Sequence, residues 1–114
     1  AALAGQSLLD HPEAGQLPFD AEQLRNDVAS CWNMAGNFLS EQEKHAEALT
    51  AFGEAIKLQP DFAMWHRNHT GTLIDLGDFA AAEAGLARAA ELEPEHPRLA
   101  ELRREMEERR MRGI

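Results

Sequence analysis

Tyrosine is missing from this 114-residue chain, valine occurs once and isoleucine three times. Sheets are built largely from β-branched and aromatic residues, so a β fold is not expected. There is a single cysteine, Cys31, and so no internal disulfide; a reducing, cytoplasmic setting is expected. Lysine and arginine number 11 against 20 aspartates and glutamates, for a net charge of −9. Nucleic-acid binding needs a basic footprint and an anionic bilayer repels an acidic surface, so neither partner is expected. No apolar run approaches the roughly 20 residues of a membrane span. No basic-then-apolar leader opens the chain, so no signal peptide is read. A start at Ala1 rather than at methionine points to a processed chain, or to one cut from something longer.

What is present favours helix. Alanine, glutamate, leucine and arginine dominate, and 44% hydrophobic with 27% charged residues is the balance of one soluble globular domain. Charge is unevenly spread: residues 1–97 carry a net −11 and residues 98–114 a net +2. An acidic body with a basic end can fold one onto the other or draw an acidic partner to that end. The plainer reading is a solvated last helix supported by i, i+4 pairs such as Glu105 with Arg109.

Residues 1–19 read as an irregular or short-helix segment, with a helix over 1–9 stopped by Asp10-His11-Pro12 and a loop over 13–19. Asp20 is placed to cap a long helix, with Gln23 completing a capping box. Leu24, Val28, Cys31, Trp32, Ala35, Phe38 and Leu39 then recur at steps of three and four, giving one amphipathic helix to about residue 42. Further helices are expected over 46–58, 62–76, 79–92 and 97–111. Pro60 and Pro94 stop two of them, Gly77 caps one, and Pro97 opens the last. Residues 112–114 form a tail.

Internal similarity is the strongest signal. A shift of 34 residues lays Leu39 on Leu73, Ala48 on Ala82, Phe52 on Leu86, Ala55 on Ala89, Leu58 on Leu92 and Pro60 on Pro94. A helix–turn–helix unit of 34 residues is the period of the tetratricopeptide repeat, whose pattern is W-x2-L-G-x2-Y, A-x3-F, P. Trp32, Ala35, Gly36, Leu39, Ala48, Phe52, Ala55 and Pro60 fill those slots, so residues 29–62 closely resemble one such unit. Residues 63–96 keep Gly77, Ala82, Leu86, Ala89 and Pro94, but His66, His69 and Thr70 stand in the Trp, Leu and Gly slots. Residues 97–111 resemble the capping helix that follows a last repeat.

The resemblance implies an all-α, right-handed α-α superhelix of two helix-turn-helix units plus a C-terminal capping helix, together spanning 20–111. It implies a protein–protein interaction module, a scaffold or adaptor holding a peptide or partner helix in its concave groove. Asn33, Asn37, Ser40, Arg67, Asn68 and Arg98 are the groove residues it implies, with Arg67 and Arg98 favouring an acidic or C-terminal segment. Met34 and Trp65 are weighed between groove and core. Asn37 and Asn68 fall on two slots of the carboxylate clamp by which some members hold chaperone C-termini, so a co-chaperone-like binder is an alternative. Because two units are few for a stack, pairing of the chain with itself is also expected.

Enzyme chemistry finds no support. His66 and His69 at i, i+3 could share a metal ion, but no third ligand stands at matching spacing, and surface or packing roles are the simpler reading. Cys31 lacks a neighbouring base or an electropositive setting for a catalytic thiol. No glycine-rich phosphate loop or nucleophile elbow occurs. Neither a catalytic residue nor a bound metal or cofactor is expected.

Overall fold

The computed structural model describes residues 20–113, so the helix and loop expected over 1–19 lie outside the described residues. Five helices follow one another: α1 (Ala21–Glu41), α2 (His45–Leu58), α3 (Ala63–Leu76), α4 (Phe79–Leu92) and α5 (Pro97–Met111). They take up 83% of the described residues, which contain no strand, and the fold is an all-α helical repeat. Each helix from α1 to α4 packs on the next, while α5 lies against both α3 and α4.

The helix ends follow from the residues that stand there. Asp20 is extended and its Oδ1 accepts from the Glu22 backbone N–H at 2.8 Å, satisfying one of the free donors of the first turn. Gln23 does not close a capping box; its Nε2 donates along the helix to Asp27 Oδ1 at 2.9 Å. The two hairpin turns repeat one hydrogen-bond pattern. Lys44 N–H reaches Leu39 O and Glu43 N–H reaches Ser40 O; 34 residues on, Asp78 N–H reaches Leu73 O and Gly77 N–H reaches Ile74 O. This closure needs a left-handed residue, Glu43 at φ 61° and Gly77 at φ 81°. Glycine adopts that conformation without penalty, whereas glutamate sacrifices stability to do so. Glu43→Gly should therefore stabilise the domain by about 0.5 to 1 kcal/mol and Gly77→Ala destabilise it by at least as much, read as opposite shifts in thermal midpoint.

Close packing of each hairpin rests on one small residue, but on opposite helices. In the first hairpin Gly36 of α1 is buried against the Phe52 ring of α2; a Cβ there would lie 2.5 to 2.8 Å from three ring carbons. In the second, the slot of Gly36 is taken by Thr70, fully buried, and the slack is moved to Gly85 of α4, where a Cβ would fall on the Thr70 hydroxyl. Thr70 is thus the counterpart of a substitution made across the interface.

The core has two parts. Leu73, Ile74, Ala82, Leu86, Ala89, Leu99, Leu102 and Met106 join α3, α4 and α5. Ala29, Ala55 and Trp65 join α1, α2 and α3. Trp65 is a core residue, 4% exposed, stacked at a tilt 4.4 Å from Phe62, with Nε1 donating to Gln59 Oε1 at 3.0 Å. The tryptophan displaced by one step from its expected slot therefore wedges between the two hairpins. Met34, by contrast, is 67% exposed.

The basic end does fold onto the acidic body. Arg109 bonds Asp75 of α3 at 3.2 Å rather than pairing with Glu105 along its own helix, and Arg110 bonds Glu83 of α4 at 2.7 Å while lying over the Phe79 ring. These pairs are partly exposed and contribute little each; they orient α5, and Leu99, Leu102 and Met106 hold it.

Candidate functional site

A cleft of about 180 Å³ opens between α1, α3 and α5. Its walls carry Asn37 and Ser40 from α1, Arg67, Asn68, Thr72 and Asp75 from α3, and Arg98 and Glu105 from α5, with Phe52 and Gly71 beneath. Helical spacing explains the convergence: Asn37 and Ser40 lie three apart, and Asn68, Thr72 and Asp75 follow at steps of four and three, so each set lines one face. Of the six residues expected in the groove, Asn37, Ser40, Arg67, Asn68 and Arg98 share this cleft. Asn33 is joined to it, because its Oδ1 accepts from Asn68 Nδ2 at 2.6 Å. That bond fixes the orientation of the Asn68 amide, and the Thr72 hydroxyl donates to the Asn68 carbonyl at 3.1 Å.

The two arginines differ in their freedom. Arg67 is 7% exposed and its Nη1 bonds Glu93 at the end of α4, so its charge is already neutralised inside the wall. That contact holds the Glu93 carboxyl below its ordinary range. Arg98 is half-exposed and pairs with Glu101 at 3.0 Å and Glu105 at 2.8 Å on its own helix. Exposed pairs of this kind are worth about 0 to 1 kcal/mol, so an incoming carboxylate can exchange for either at small cost. At the far end Asp75 stands between Arg109 and His45, whose Nδ1 is 3.8 Å away.

Sequence reasoning missed Thr72, Asp75 and Glu105. The step of four from Asn68 to Thr72 was available as a signal; that Glu105 joins Arg98 at the cleft depends on how the last helix docks and was not. Nor do the paired histidines converge on a site. His66 Nε2 bonds the Pro60 carbonyl at 2.6 Å, tying α3 to the preceding loop. Among the described residues no three His, Cys, Asp or Glu side chains gather where a metal ion could sit. Burial, and then the neighbouring His66, keep the His69 imidazole below its ordinary pKa. The unfolded chain therefore takes up this proton first, and stability is lost as the pH falls below about 6.5. His69→Gln should flatten the stability profile between about pH 7 and 5, checked by urea unfolding at each pH; an unchanged slope would refute it.

Two comparisons relate the chain to known proteins. Residues 39–106, more than half of the chain and reaching from the end of α1 into α5, match the tetratricopeptide repeat. The "DnaJ homolog subfamily C member 7 homolog" of Schizosaccharomyces pombe is 28% identical over 90 residues, covering 77% of this chain and 18% of that protein. The chain thus spans under a fifth of the length of this relative. Among the described residues no helix is long and apolar enough to cross a membrane.

Proposed function

The chain belongs to the tetratricopeptide repeat family, and on that footing we propose that it is a protein-interaction module whose cleft between α1, α3 and α5 holds an extended peptide. What carries the reading is the convergence of Asn37, Ser40, Asn68 and Arg98 on one cleft in a helical repeat. Side-chain amides offer a donor and an acceptor together and so match a peptide backbone of any sequence. Asn37 and Asn68 grip the backbone, with Asn33 fixing the Asn68 amide. Arg98 exchanges Glu101 or Glu105 for a carboxylate of the ligand, which favours an acidic or C-terminal segment. Arg67 shapes the wall and stays with Glu93.

No residue of the chain is assigned a catalytic role, and no cofactor enters the reading. A single exposed cysteine accords with a reducing, cytoplasmic setting. The co-chaperone alternative asks for more free basic groups than this cleft offers, since Asn33 stands where the clamp has its first lysine.

Affinity should lie near the micromolar range, about −8 kcal/mol, because each contact is polar and partly exposed. The test takes a peptide selected from a random library displayed with free C-termini and titrates it calorimetrically. Asn68→Ala should weaken it by about 1 to 3 kcal/mol, with helix content unchanged. Arg98→Ala should slow association and reduce its salt dependence. Amide shifts confined to the outer face of α5, with Asn37 and Asn68 silent, would end the cleft reading.

A further inference from the structure

Most of the stripe of α1 that periodicity assigns to the core, from Leu24 to Phe38, is left exposed by the described residues. Leu24, Val28, Trp32 and Phe38 are 51, 38, 38 and 61% exposed, Cys31 and Ala35 lie exposed among them, and Met34 beside the stripe is 67% exposed. The side of α1 that meets the rest of the fold is made of small residues instead, Ala29 and Gly36. Helix α1 therefore has two apolar faces, and among the described residues one of them is packed. Single exposed apolar residues are ordinary, but a contiguous row of this size marks a contact surface.

We infer that this row pairs with the same row of a second copy of the chain across a two-fold axis. Leu24, Val28, Cys31, Ala35 and Phe38 follow at steps of four, three, four and three. That is the seam of a two-stranded coiled coil, with Val28 and Ala35 at one core position and Leu24, Cys31 and Phe38 at the other. A heptad seam is self-complementary when two copies lie in register, as an isologous contact requires. Trp32 and Met34 flank it on either side and widen the surface. The five large side chains offer roughly 500 Å² per copy, and the pair reaches the roughly 1,000 Å² at which specific interfaces begin. Charge selects the parallel arrangement. It sets Asp20 opposite the partner's Arg25, whereas the antiparallel one sets Asp20 near the partner's Glu41. The seam also lies on the outermost described helix, so a second copy approaches it without displacing any described helix. Self-pairing rests on this surface alone and not on the cleft.

Cys31 sits midway along the seam and reports on it, because pairing brings it against the partner's Cys31. The full 114-residue chain is examined by sedimentation equilibrium, and the rate of Cys31 alkylation by a maleimide is followed from about 1 to 200 μM protein. A dimer with a micromolar Kd is expected, with alkylation slowing about tenfold across that range. A short bis-maleimide should join two chains at Cys31. Phe38→Glu, at an exposed position, should give a folded monomer whose Cys31 reacts fast at every concentration. Met111→Glu, exposed on α5, should leave the dimer intact. A monomer with Cys31 fast throughout, its face left for another protein, would overturn the inference. So would a monomer with Cys31 slow throughout, its face covered by residues 1–19.

Discussion

Gly36→Ala should destabilise the domain by about 2 kcal/mol, although alanine gains about 1 kcal/mol over glycine in a helix interior. The sign is set by the contact: the added methyl would stand 2.5 to 2.8 Å from three carbons of the Phe52 ring, which is itself only 2% exposed and has nowhere to turn. The second hairpin shows the remedy: Leu86 stands in the slot of Phe52, and Gly85 beside it leaves room for Thr70 in the slot of Gly36. Phe52→Leu alone should cost about 1 to 2 kcal/mol for the volume lost. Made together, the two changes should cost at least about 1 kcal/mol less than their sum, the coupling expected of residues in contact. Urea unfolding of the four proteins closes the cycle. If Gly36→Ala raised the midpoint, helix propensity would outweigh packing and the close approach of α1 to α2 would be wrong.

Leu102→Ala should have the largest effect of any truncation in α5, about 3 kcal/mol, or a fall of roughly 10 to 20 °C in thermal midpoint. Leu102 is fully buried where α3, α4 and α5 meet. The informative detail is the probe. Both tryptophans lie on α1 and α3, and Trp65 belongs to the other part of the core, so fluorescence senses the end of the molecule remote from the mutation. In a stack whose units stabilise their neighbours, the fluorescence transition should shift together with the helical signal. A fluorescence midpoint left in place while ellipticity drops early would mean that α5 detaches by itself.

Much of this architecture was legible beforehand because its signals are local. Asp20 caps, Gly77 turns and Pro97 opens a helix wherever the rest of the chain lies, and the period of 34 needs only the sequence aligned on itself. Asn37 and Ser40 on one helix and Asn68 on another were reachable in part for the same reason, since helical spacing fixes which side chains of a helix share a face; Arg98, on the last helix, came only with the family resemblance. What escaped needs knowledge of which helix meets which. Thr70 in a glycine slot looks like a departure until Gly85 is seen across from it. Arg67 looks available to a ligand until Glu93 is found beside it. The row from Leu24 to Phe38 is apolar and periodic, and periodicity alone does not distinguish a face covered by its own chain from one turned outward.

The two outer helices among the described residues are unlike, and the difference bears on how copies could assemble through them. On α5 the apolar side chains Leu99, Leu102 and Met106 are spent inward, and Arg103, Arg104, Glu107 and Glu108 face solvent. A particle adhesive at both ends polymerises head to tail; one adhesive at a single end meets its like once and has nothing left to offer. In a pair formed through α1 each copy would turn the charged α5 outward, so raising the concentration would fill more pairs without lengthening any of them.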